Sequence, residues 1–251
     1  MINLFHELQI RKITLPKDAA EILRGCNSFQ VFNNTTELAD AAVGGKESQS
    51  FEVRYSLPEQ GKVTEAIIHR VSNGISANYT EAYMRRRDPD TMLIGDLLPS
   101  DKERFSDRMG YEFESLRKET IEWLQSQDLA LFFYFAGRDG IGSGGIAIVP
   151  ANAGFFALGL AMLQQLIPLE ELPDGFAIES AIYVAPTFRH THFQGKQIVV
   201  HKRSEELHEI FSYNLYPGPS AKKGLYGALL TKGEREGWIT AHCSTVQVVS
   251  P

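Results

Sequence analysis

The stretch "LALFFYFAG", residues 129–137, is apolar at almost every position. An amphipathic strand alternates, because successive side chains point to opposite faces. A run without alternation suits a strand buried on both sides, so the sheet that contains it must be covered twice. That requirement selects a layered, mixed α/β architecture: a predominantly buried mixed sheet flanked by helices. The rest of the chain supplies the parts. "FEVRYSL" and "TEAIIHRVS" read as strands joined across the turn-rich "PEQGK". From Tyr111 to Gln127 the period is helical, with Phe113, Leu116, Thr120 and Leu124 on one face and Trp123 beside them. A second, fully apolar helix is expected over Asn152–Leu166. "FAIESAIYVAP", "KQIVVHK", "EIFSYNLY", the segment after "RRRDPD" and "STVQVVS" are further strand candidates, and "SAKKGLYGALLTKG" starts another helix. Leu8 to Leu15 is expected as a short strand and Lys17 to Arg24 as a helix.

At 251 residues the chain can bury a sizeable core. No repeat or Pro/Ser-rich linker divides it, so 1–251 is expected to be a single domain, with 1–50 an unassigned edge segment. The net charge of −6 argues against nucleic acid as a partner. The longest basic run, Arg85-Arg86-Arg87, is flanked by Asp88 and Asp90. Two distant cysteines, Cys26 and Cys243, suit a reducing cytoplasm and offer no zinc spacing. The N-terminus lacks the apolar core of a signal peptide. The most apolar segment, "AGFFALGLAMLQQLI", covers about 15 residues where a bilayer span needs about 20, so no membrane partner is expected.

Several stretches invite chemistry. "GIGSGG" (Gly140 to Gly145) follows a strand, as a nucleotide fingerprint does, but leads into the strand-like "IAIV" and offers no helix N-terminus to a phosphate. A flexible hairpin is expected there. His190 and His192 would share a face on a strand and could ligate metal, yet no Cys or carboxylate is placed to complete a site, so a solvated loop is expected. The arginines before the Pro-containing turn are either surface charge or a grip for an anionic substrate, since guanidinium holds carboxylate bidentately. Lys222 and Lys223 precede an apolar helix, and His242-Cys243-Ser244 follows them near residue 251. Each is unremarkable by itself. As two spaced blocks they carry more.

This pair of blocks resembles ATP-dependent phosphoenolpyruvate carboxykinase, whose strand ends in Tyr-Ala-Gly-Glu-Met-Lys-Lys-Gly and whose His-Cys-Ser opens a later strand. Tyr216, Gly218, Lys222, Lys223 and Gly224 match the first block, with one extra residue and Pro219-Ser220-Ala221 in place of Glu-Met. His242, Cys243 and Ser244 match the second, and "EGW" at Glu236 to Trp238 resembles the GTP-using branch. "YFAGRD", "FAIESAIYVAPTF" and "RRRDPDTMLI" are similar to further family segments in the same order, from Arg87 to Pro251, although the arginine motif lacks the family's lysines. The resemblance implies the family's N-terminal domain. It puts Arg87 and Tyr216 on a small anionic substrate of the oxaloacetate or phosphoenolpyruvate type, and Lys222 and Lys223 in catalysis. It makes Lys223 and His242 ligands of Mn²⁺ or Mg²⁺, with ATP bound by a C-terminal nucleotide domain that would follow residue 251. The chain alone is then expected to be inactive. Two other classes stay open: a non-catalytic domain that binds a small anion or a partner protein, and a phosphate- or nucleotide-binding module centred on "GIGSGG".

Overall fold

The computed structural model describes residues 4–80, 91–138, 141–218 and 223–239. The chain opens with helices α1 (Leu4–Ile10) and α2 (Lys17–Gly25), strand β1 (Ser28–Val31) and helix α3 (Thr35–Ala42). Strands β2 (Ser50–Leu57), β3 (Gly61–Val71) and β4 (Gly74–Tyr79) follow, then β5 (Met92–Ile94) and helices α4 (Phe105–Met109) and α5 (Phe113–Gln125). Next come β6 (Asp128–Arg138), β7 (Ile141–Pro150), α6 (Gly154–Ala161), β8 (Gln165–Ile167), β9 (Ser180–Val184) and α7 (Phe188–Thr191). β10 (Val199–Arg203), β11 (His208–Ser212) and α8 (Leu225–Glu236) complete it.

A mixed sheet in the order β1-β6-β7-β9-β11-β10-β5, with β8 added beside β6, forms the centre; β2, β3 and β4 form a separate antiparallel sheet. The double burial expected of "LALFFYFAG" is observed. Leu129, Leu131 and Phe133 of β6 enter the core beneath α1, α2, α4 and α5. Their neighbours Ala130, Phe132 and Tyr134 enter a second core with α3, α6, α8 and the three-stranded sheet. Helix α5 turns Phe113, Leu116, Thr120 and Leu124 inward, as its period requires.

Three expectations are corrected. Leu8–Leu15 is not a strand: Leu4 and Leu8 lie one helical turn apart and are both buried, so α1 forms there instead. The apolar helix is shorter than Asn152–Leu166. α6 ends at Ala161, and Gln165–Ile167 leaves it to pair with Phe133–Phe135, where strand hydrogen bonds satisfy the backbone. "GIGSGG" does belong to a hairpin, but over its described residues it is paired strand rather than flexible loop. Gly142, Gly144 and Gly145 lie within β7, paired with β6. Large side chains cross the backbone there, and a Cβ on Gly145 would sit 2.2 Å from Tyr134 Cζ. These glycines admit aromatic rings rather than phosphate. The expected strand at 244–250 lies outside the described residues. Among those described, no helix is long and apolar enough to cross a membrane.

Candidate functional site

β7, β9 and β11 run in the same direction, and the segments leaving the carboxyl ends of β9 and β11 lie side by side, joined where Ala185 N donates to Ser212 O at 2.9 Å. Open α/β sheets place ligands at this end, because loops leaving the strands can bring several chemistries together without disturbing the layers. The three-stranded sheet reaches the same place through an irregularity. Val53 pairs with Ala66 and Arg54 with Thr64, leaving Glu65 as an extra residue in β3. Such a bulge re-aims a side chain. It lets Glu65 and Ala66 both face inward, which strict alternation forbids.

Glu65 thereby becomes a carboxylate only 2% exposed, and its partners come from the segment after β9. Arg189 Nη2 bonds to Glu65 Oε2, and His190 Nε2 meets Oε1. Arg189, fully buried, also donates Nη1 to Gly195 O at 2.9 Å. A buried ion needs this degree of pairing, since desolvation otherwise costs several kcal/mol. Close by, burial and then the Glu65 charge push the Tyr55 phenol well above its usual range. The Tyr55 hydroxyl, Thr187 Oγ1 and Asn214 Nδ2 are buried without a hydrogen-bond partner among the described residues. His190 and His192 therefore do not occupy a solvated loop. His190 lies on α7 and pairs with Glu65, and His192 caps the carboxyl end of that helix, 3.1 Å from Glu119 Oε2.

The chain leaving β11 borders this cluster. Asn214 Oδ1 accepts from Tyr216 N at 3.0 Å, and Tyr216 stacks edge-on against Tyr79 at 6.1 Å. A Cβ on Gly218 would approach Tyr216 Cε1 to 3.1 Å, so glycine lets the chain fold back over the ring. Lys223 is exposed just before α8. The far end of that helix is anchored: Lys232 Nζ donates to Glu179 at 2.6 and 2.8 Å and to Gly142 O at 2.8 Å. Gly237 at φ 73° ends the helix and Trp238 N returns to Gly233 O, so "EGW" acts as a C-terminal cap. Beneath α8, His201 Nδ1 and His208 Nε2 lie 2.7 Å apart. Burial lowers both rings, His208 to about 4, with the Arg203 charge contributing. Asp96 offsets that charge. Although desolvation opposes it, hydrogen bonds from Arg203 hold the Asp96 carboxyl below the ordinary carboxylate range.

Of the residues singled out in the sequence, Tyr216 stands at this end of the sheet and Lys223 at the start of α8. Arg87, Lys222 and His242 lie outside the described residues. Among those described, no three His, Cys, Asp or Glu side chains gather as metal ligands. Sequence reasoning passed over Glu65, Arg189, Tyr55 and Asn214. Glu65 had a signal, a lone carboxylate inside the apolar "TEAIIH"; the others had none.

Fold and site together define a layered α/β domain with a buried carboxylate–guanidinium–imidazole cluster at the carboxyl end of its sheet. The chain belongs to the family described as Domain of unknown function (DUF4914), which matches residues 15–251. No curated protein matches it.

Proposed function

We propose that this domain is the substrate side of a phosphoenolpyruvate carboxykinase-like lyase, which decarboxylates oxaloacetate and passes a nucleotide phosphoryl group to the resulting enolate. The supporting observation is the short connection from β11 to α8, with Tyr216 packed at the carboxyl end of the sheet and Lys223 at the mouth of the anchored helix. That connection carries the Tyr-x-Gly and Lys-Lys-Gly residues of the resemblance. Both chemical steps build negative charge on oxygen, so they call for fixed cations and donors. Arg87 holds the substrate carboxylate, Tyr216 lines the pocket, and Lys222 and Lys223 face the developing charge.

Lys223 and His242 are the proposed ligands of Mn²⁺ or Mg²⁺, with ATP as the proposed phosphoryl donor. An amine and an imidazole can both ligate a divalent ion when neutral. Lys222 beside Lys223 favours the neutral amine, because one ammonium disfavours another. When bound, the metal supplies positive charge to the enolate and phosphoryl oxygens.

The reading is tested by Mn²⁺ titration followed by electron paramagnetic resonance. Lys223→Ala and His242→Ala should each weaken Mn²⁺ binding at least about tenfold, as loss of a ligand worth over ~1.4 kcal/mol requires. Lys102→Ala should not. Arg87→Gln should weaken oxalate binding and leave Mn²⁺ affinity unchanged. Unaltered Mn²⁺ affinity in both ligand variants sinks the proposal.

A further inference from the structure

Beyond the carboxyl end of α7, where His192 lies, a cleft of about 440 Å³ opens between the end of α4 and the loop into β10. Arg108, His192, Gln194, Lys196 and Gln197 supply its polar lining, over a floor that includes Phe193. Among the described residues, no carboxylate lines it. Two acidic side chains compensate part of its charge from outside: Glu103 Oε2 accepts from Arg108 Nε at 2.9 Å, and Glu119 meets His192 at 3.1 Å. Lys196 is exposed and makes no ion pair among the described residues. Among the described residues, its positive charge is the surplus of the cleft. The loop takes its turn at a conformational cost, since Gln194 sits at φ 52°, a region that residues with a Cβ seldom adopt. Gly195 is fixed at both polar groups: its N donates to Arg189 O at 2.7 Å, and its O accepts from Arg189 Nη1.

We propose that this cleft binds a small oxyanion, a phosphate or a carboxylate, with Lys196 and Arg108 as its cationic contacts and the Gln194 amide as a neutral donor. A concave, partly apolar site with convergent donors and a surplus cation is what such a ligand requires. The site is independent of the carboxykinase reading. It lies across α7 from Glu65, and Arg189 touches both the Glu65 carboxylate and the cleft loop.

The experiment is acetylation footprinting of the full chain by mass spectrometry, with inorganic phosphate and malonate titrated separately. Either anion should protect Lys196 saturably while Lys102 stays unprotected, and the tighter of the two identifies the ligand class. Calorimetry on Lys196→Ala, an exposed position whose loss leaves the fold intact, should show about tenfold weaker binding, as for one charge-assisted hydrogen bond. Lys102→Ala should bind like the parent. Absence of saturable protection with both anions, or equal affinity in Lys196→Ala, overturns the proposal.

Discussion

A carboxylate taken out of water keeps its charge only when cations and donors replace the solvent, and Glu65 has two such neighbours in Arg189 and His190. Glu65→Ala removes the carboxylate that pairs with the fully buried Arg189, and should cost about 3–5 kcal/mol in urea-induced unfolding. The double variant Glu65→Ala/Arg189→Met should recover part of that loss, because no uncompensated charge then remains. The histidine pair makes a different prediction. His201 and His208 titrate below their ordinary 6.5 when folded, so the unfolded chain takes up protons first. Stability should therefore fall as the pH drops from about 6.5 towards about 4, by about 3 kcal/mol for His208. Glu209, raised by burial, works in the opposite direction at the acid end of this range. Replacing both histidines with Phe isolates their share: the difference in unfolding free energy between pH 5 and pH 7.5 should shrink. An unchanged difference would refute the assignment.

Two glycines separate the roles of elements. Gly145 in β7 has Tyr134 against it, and Gly145→Ala should destabilise by about 1–3 kcal/mol through overpacking. Gly227 in α8 has room, with His201 Cε1 at 3.7 Å from an added Cβ. Gly227→Ala should stabilise by about 0.5–1 kcal/mol through helix propensity. Thermal unfolding of the two variants should therefore shift in opposite directions. The same contrast shows how far local pattern reaches. α5 was legible because burial follows its period, and β6 because an apolar run without alternation is buried on both faces. The β7 glycines were misread as loop because the rings against them, Phe135, Phe176 and Tyr134, belong to other segments of the chain. α6 was overextended because composition alone cannot say that Gln165–Ile167 finds a free edge beside β6. The bulge at Glu65 was invisible for the same reason, since a bulge exists only relative to the partner strand.

At the scale of the whole molecule, the central strands are covered on both faces while β1 and β5 end the sheet path. Amide hydrogen exchange should be slowest in β6, β7, β9 and β11 and faster in the edge strands and β4. Because Glu65 joins the three-stranded sheet to α7, Glu65→Ala should accelerate exchange in β2 to β4 more than in β6. The sequence by itself determined the layered α/β class, the positions of most core strands and the spaced blocks around Tyr216 and Lys223, since these depend on local hydrophobic period and on spacing along the chain. Only the tertiary structure decided that Glu65, Arg189 and His190 meet, that Lys196 faces a cleft, and that the histidines lie beneath α8. Those pairings join residues far apart in the chain, and their energies depend on desolvation, which exists only once the layers have closed.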